Sequence, residues 1–197
     1  MYSVPDGYLA AIRAPTRTDR LAGKLTLTNG TTIALNDSAV ISGSLSVDNQ
    51  CVSGQELTFG SVYMGQASLQ LRTELTSAAF YNAALEIDYE IKLADGSWYT
   101  LPVGRYTVAE AERSAAVVSL TAYDNMLKLE QNLSGSVIQG DAYTMLTQIA
   151  EACGVELGQN EAEIKALSAN AELLRQLDST YNFSSWSDCA GAIAQLL

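Results

Sequence analysis

The hydrophobic period of this chain changes once, between Pro102 and Leu129, and that change constrains the fold more than any single motif does. Upstream, apolar residues alternate with polar ones over several segments, the period of strands with one buried face. Downstream they return every three or four residues, as on helices. A β-rich part therefore precedes a helical part, with Ala122-Tyr123-Asp124-Asn125-Met126-Leu127-Lys128-Leu129 at the join. The expected class is α+β: an antiparallel β-barrel-like domain over residues 1–133, then a small helical domain over residues 134–197.

The clearest strand runs from Leu85 to Leu93, with Leu85, Ile87, Tyr89, Ile91 and Leu93 on one face and Glu86, Asp88, Glu90 and Lys92 on the other. Leu25-Thr26-Leu27 and Ile33-Ala34-Leu35 flank Asn29-Gly30, a hairpin signal. A two-residue turn would send the two apolar rows to opposite faces. A three-residue loop, Thr28 to Gly30 with Gly30 left-handed, pairs Leu25 with Ile33 and is preferred. Val40 to Val47 reads as a strand kinked at Gly43, and Ser61 to Leu75 as one whose phase shifts at a bulge at Gly65. Asp95-Gly96 turns the chain into Trp98 to Leu101, followed by Tyr106 with Val108 and then Val117 to Thr121. These make about eight strands, enough for a barrel or a strongly curved sheet.

Beyond the join, Asp141 is an N-cap, Ala142 to Cys153 a helix with its stripe at Met145, Leu146, Ile149 and Cys153, and Gly154 the left-handed residue that ends it. Asn160 and Glu163 have capping-box spacing before Ile164 and Leu167. Ser185 and Asp188 repeat that spacing before a last helix, whose stripe is Trp186, Cys189, Ala190, Ile193, Ala194 and Leu197. That helix has no stop signal, so the sequence is expected to continue into further domains.

With 22 acidic against 11 basic residues and a net charge of −11, the chain is expected to be repelled by nucleic acid and anionic membranes. No apolar run is long enough for a membrane span. Histidine is absent, which removes the commonest general base and metal ligand and with it Ser-His-Asp and Cys-His arrangements. Cys51, Cys153 and Cys189 are odd in number and share no C-x-x-C pairing, so free buried thiols are expected. Arg13, Arg17, Arg20 and Lys24 form a basic cluster, read as a solvated arm or as one docking on an acidic neighbour such as another copy.

Glu86, Asp88 and Glu90 share a strand face and could offer oxygens to calcium or act as a glycosidase pair, but a solvated sheet face explains them better. Asp124 fits a helix cap better than a base. Gly60 and Gly65 have the outer spacing of a phosphate loop, but Gln66-Ala67 stand where its Lys and Ser/Thr belong. Tyr81, Tyr89, Trp98, Tyr99 and Tyr106 fit core packing, with a carbohydrate-stacking or docking patch as the alternative. No catalytic, cofactor-binding or metal residue is assigned, and neither enzymatic activity nor a cofactor is expected.

The ordered set Asn29-Gly30-Thr31, Ile41 to Val47, Phe59-Gly60-Ser61-Val62-Tyr63, Leu101-Pro102-Val103-Gly104-Arg105-Tyr106-Thr107-Val108 and Ala122 to Leu129 resembles the N-terminal part of phage tail-tip and baseplate hub proteins, the tail-associated proteins of prophages in Gram-positive bacteria. The likeness covers nearly the whole chain, including the helix at Ala142 to Gly154. It implies a homotrimer whose β-barrel domains close a ring at the tip of the tail tube. Such a hub contacts a distal tail or tail-tube protein and carries fibre or lysin parts further along. It is assembled in the bacterial cytoplasm and located in the virion tail. A carbohydrate-binding or adhesive β-domain is the alternative reading.

Overall fold

The computed structural model describes residues 4–49, 64–131, 137–140, 142–158, 160, 162–163 and 179–182. The chain falls into two compact units, one of Met1–Asn49 and Gly65–Asp124, the other of Gln50–Met64 and Asn125–Leu197.

The first unit opens with helix α1 (Asp6–Arg13). Seven strands follow: β1 (Asp19–Thr26), β2 (Thr32–Ala34), β3 (Ser46–Asp48), β4 (Gln66–Arg72), β5 (Ala84–Lys92), β6 (Trp98–Ser114) and β7 (Val117–Tyr123). They form one antiparallel sheet in the order β2-β1-β5-β6-β7-β4-β3. The sheet is not closed into the expected barrel. Its edges, β2 and β3, are three residues each, which leaves little ladder with which to close a ring.

The β1–β2 register decides the hairpin as the apolar rows require: Leu25 lies opposite Ile33, Leu27 N–H donates to the Thr31 carbonyl, and Gly30 closes the loop at φ +84°. The segments Trp98 to Leu101 and Tyr106 with Val108, read as separate strands, are one strand of 17 residues. Its first part pairs with β5 and its second with β7. Register slips at Val103 and again at Ala109 leave each of these residues unpaired. Each slip flips the side-chain phase, so Tyr106, Val108 and then Ala111 are all buried.

Val40 to Val47 is not a continuous strand. Only an isolated bridge at Val40 and the short β3 remain, separated by a turn in which Ser44 N–H donates to the Ile41 carbonyl and Gly43 takes φ +77°. The turn covers the outer edge of β4: Ile41 N–H donates to the Gln70 carbonyl, and Gln70 N–H donates to Ser44 Oγ. Nor is Gly65 a bulge within a strand; it precedes β4, whose pairing with β7 is regular.

The core gathers Leu25 and Leu27, Leu69 and Leu71, Leu85 and Ile87, Tyr106 and Val108, and Val118 and Leu120, with Phe80 from a 3₁₀ turn (Ser77–Phe80) fully buried among them. α1 packs on β5, where Tyr8 is buried and its ring lies 5.2 Å from that of Tyr99.

In the second unit the short helix at the join is a 3₁₀ turn, Asn125–Glu130. β8 (Val137–Gly140) pairs with β9 (Ser179–Asn182), two strands too short for the sequence pattern to reveal. α2 (Ala142–Ala152) buries Met145, Ile149 and Ala150, and Cys153 just beyond it. Val155 N–H returns to the Ala150 carbonyl and Gly154 N–H to that of Glu151, with Gly154 at φ +65°, the expected left-handed stop. The capping box is present in full: Asn160 N–H donates to Glu163 Oε2 at 2.9 Å and Glu163 N–H to Asn160 Oδ1 at 3.0 Å. Cys51, the segment Phe59 to Tyr63, the cap Asp141, the continuation through Ile164 and Leu167, and the last helix with Cys189 lie outside the described residues.

Candidate functional site

The outer face of β1, β5 and β6 brings the basic cluster and the acidic strand together. Antiparallel register sets Lys24 opposite Glu86 and Arg20 opposite Glu90. Lys24 Nζ lies 3.2 Å from Glu86 Oε1, and Arg20 Nε donates to Glu90 Oε2 at 2.6 Å. Two members of the cluster are thus strand residues paired with acids of their own sheet, not a solvated arm. Thr100 Oγ1 donates to the other Glu90 oxygen at 2.9 Å. The bonds from Arg20 and Thr100 hold the Glu90 carboxyl below its ordinary range. A general acid at neutral pH needs the opposite displacement. Asp88 sits between the two acids, opposite Ala22 and Pro102. Among the described residues no group of three or more His, Cys, Asp or Glu is placed to hold a metal ion.

The aromatic set divides. The Arg20 guanidinium lies 4.0 Å from the centre of the Trp98 ring, covering a face that a sugar would need. Tyr99 is occupied with Tyr8. Tyr89 is raised above its ordinary range by burial first and then by Asp19, to which its hydroxyl donates. Tyr106 is raised chiefly by desolvation and is hydrogen-bonded to the Asn49 side chain. Only Tyr81 of the five is exposed, at 47%.

Asp124 stands directly before the 3₁₀ turn at the join, the position of a cap. Its carboxylate also accepts the Gly65 N–H at 2.9 Å, and its own N–H donates to the Gly65 carbonyl at 3.0 Å. It fastens the end of β7 to the start of β4. A Cβ at Gly65 would fall 2.8 Å from Asn49 Oδ1 and 2.9 Å from Asp124 Oδ2, so this glycine is explained by close approach and not by a phosphate.

Two features went unread in the sequence. Arg113 binds backbone carbonyls on two segments: Nη1 donates to Glu74 at 2.9 Å and to Leu75 in a neighbouring loop, and Nε to Ala115 in the turn that follows its own strand at 2.8 Å. Leu75 stays 38% exposed there. The second is a groove of about 600 Å³ in the second unit, beside the end of α2, lined among others by Tyr143, Ala150, Glu151, Val155, Glu156 and Leu157. No helix among the described residues is long and apolar enough to cross a membrane.

No protein-family model matches this chain, and no curated protein matches it. Among solved structures, a chain of one described as "Virion of native gene transfer agent (GTA) particle" aligns at TM-score 0.44 and 16% identity, covering 70% of this chain and 50% of that one. A chain of "Structure of Francisella PdpA-VgrG Complex, half-lidded" aligns at TM-score 0.41 and 9% identity, covering 72% of this chain and 24% of that one. This chain therefore spans half or less of the length of either neighbour.

Proposed function

We propose that this chain is a structural component of a phage or prophage tail tip, a baseplate hub. In this reading copies form a homotrimeric ring that links the tail tube to distal fibre or lysin parts. The ring acts by contact, without catalysis or a cofactor, as part of a virion tail assembled in the bacterial cytoplasm. The observation that carries the reading is the ordered motif set. Its two longest members, Leu101 to Val108 and the start of Ala122 to Leu129, lie side by side in the sheet, with Thr107 opposite Tyr123 and Val108 opposite Ala122. Support also comes from the net charge of −11, which would keep such a hub from holding passing DNA.

Light scattering on the intact protein is expected to give the mass of three copies, and a pull-down is expected to retain the adjoining tail-tube or distal tail protein. A protein that stays monomeric at high concentration and binds neither neighbour overturns the reading. The saccharide-binding alternative is weakened by the stacking of Arg20 on Trp98. Saccharide binding lost on Trp98→Ala would revive it.

A further inference from the structure

The groove in the second unit has an apolar floor and a charged rim. The backbone turn after α2 brings Val155 back over the last helical turn at Ala150. Val155, Leu157 and Tyr143 are half-buried along the groove, whereas Glu151 and Glu156 are exposed and make no ion pair among the described residues. Ten acidic residues stand against three basic ones in this unit. A ligand for this groove has to bring positive charge and some apolar surface together.

The first unit presents such a segment. From Ile12 to Arg20 every residue is exposed, Ile12 among them at 36%. Arg13 makes no ion pair among the described residues, and Arg17 makes only a 3.6 Å pair with Asp19 in which both side chains are 40% exposed or more. The chain leaves α1 extended at Ala14 (φ −63°, ψ 144°), and Pro15 fixes its own φ, so little order remains to be imposed on binding.

We propose that Ile12 to Arg17 of one copy docks in the Glu151–Glu156 groove of a second copy, with Arg13 and Arg17 meeting the two carboxylates and Ile12 and Pro15 meeting the apolar floor. The contact deepens the ring-forming role proposed above and rests on it. The two surfaces differ, so every copy gives one and receives one, and repetition closes a ring when the rotation allows. A groove of this volume takes only a few side chains. Each contact is therefore weak and salt-sensitive, and closure supplies the rest.

Sedimentation of the full chain tests this, with far-UV circular dichroism to check that the variants fold. Arg13→Glu/Arg17→Glu and Glu151→Lys/Glu156→Lys are each expected to lower self-association at least about tenfold, as is high salt for the wild type. The variant that carries both reversals in one chain is expected to regain association, because each reversed segment then meets a reversed groove and every contact of a three-membered ring is matched again. Wild-type self-association that neither reversal weakens, or a combined variant that does not recover, overturns the proposal while leaving the ring intact. Reversals that change thermal stability but not mass place the segment in its own chain's groove and also overturn it. So does loss of the tail neighbour from Glu151→Lys/Glu156→Lys at unchanged mass. A wild type that never self-associates removes the ring reading and this contact together.

Discussion

At the scale of single residues, Gly104 is closely constrained by a side chain of its own strand. A Cβ built there would run into the ring of Tyr106, which lies across the glycine two residues before it on the same face of β6. It is a place where an aromatic ring covers bare backbone, and nothing in the sequence marks which aromatic does so. Gly104→Ala is expected to cost about 1–3 kcal/mol by overpacking in chemical unfolding, and much less in a Tyr106→Ala background. Ala115 presents the converse. It has φ +54° in the two-residue turn between β6 and β7, a conformation that a Cβ disfavours. Ala115→Gly is expected to stabilise by about 0.5–1 kcal/mol, read as a higher denaturant midpoint at unchanged slope. Glu90 supplies a pH dependence. Its carboxyl is held below the ordinary 4.5 by Arg20 and Thr100, so its contribution is present above that pH and is lost as pH falls through the lowered value. The pair is partly exposed, so Glu90→Gln is expected to flatten the acid limb of the stability curve by less than about 1 kcal/mol.

At the scale of elements, what the sequence made legible follows from how each signal is carried. β5 was readable because it holds one phase over its whole length, with Leu85, Ile87 and Ile91 buried on one face. β6 was not, because Tyr99 and Leu101 precede the slip at Val103, Tyr106 and Val108 follow it, and Ala111 follows the second slip at Ala109. A period-2 pattern cut twice looks like several short strands, although the backbone is continuous. The caps of the second unit were legible for the opposite reason: their hydrogen bonds are local, between Asn160 and Glu163 or from Val155 back to Ala150. The groove beside α2 was not, since it depends on where Val155 and Leu157 settle after the helix stops. Gly154 sits in that turn, and among the described residues no atom beyond its own chain neighbours lies within 4 Å of the place a Cβ would take, so there only its positive φ opposes a side chain. Gly154→Ala is therefore expected to lower the stability of the second unit by about 1 kcal/mol, seen as faster amide exchange in α2.

At the scale of the whole molecule, the chain does not divide at one point along its length. Gln50–Met64 groups with Asn125–Leu197, so the chain passes between the units at three places. All seven strands of the large sheet, the 3₁₀ turn that supplies Phe80, and the clasp from Asp124 to Gly65 nevertheless lie within the first unit. Its core, from Leu25 to Ala122, is drawn wholly from that unit. A sheet that contains its own core residues and both bulges has what it needs to fold by itself. A chain ending at Asp124 is therefore expected to unfold cooperatively and to keep the near-ultraviolet signal of Trp98, whose ring is fixed by Arg20. The only other tryptophan, Trp186, belongs to the second unit. In the full chain, Trp186→Phe therefore leaves fluorescence that follows the first unit alone, and its denaturant midpoint is expected to match that of the shortened chain. A shortened chain without a cooperative transition, or a midpoint for Trp98 that moves with removal of the second unit, would mean that the sheet draws its stability from residues beyond Asp124.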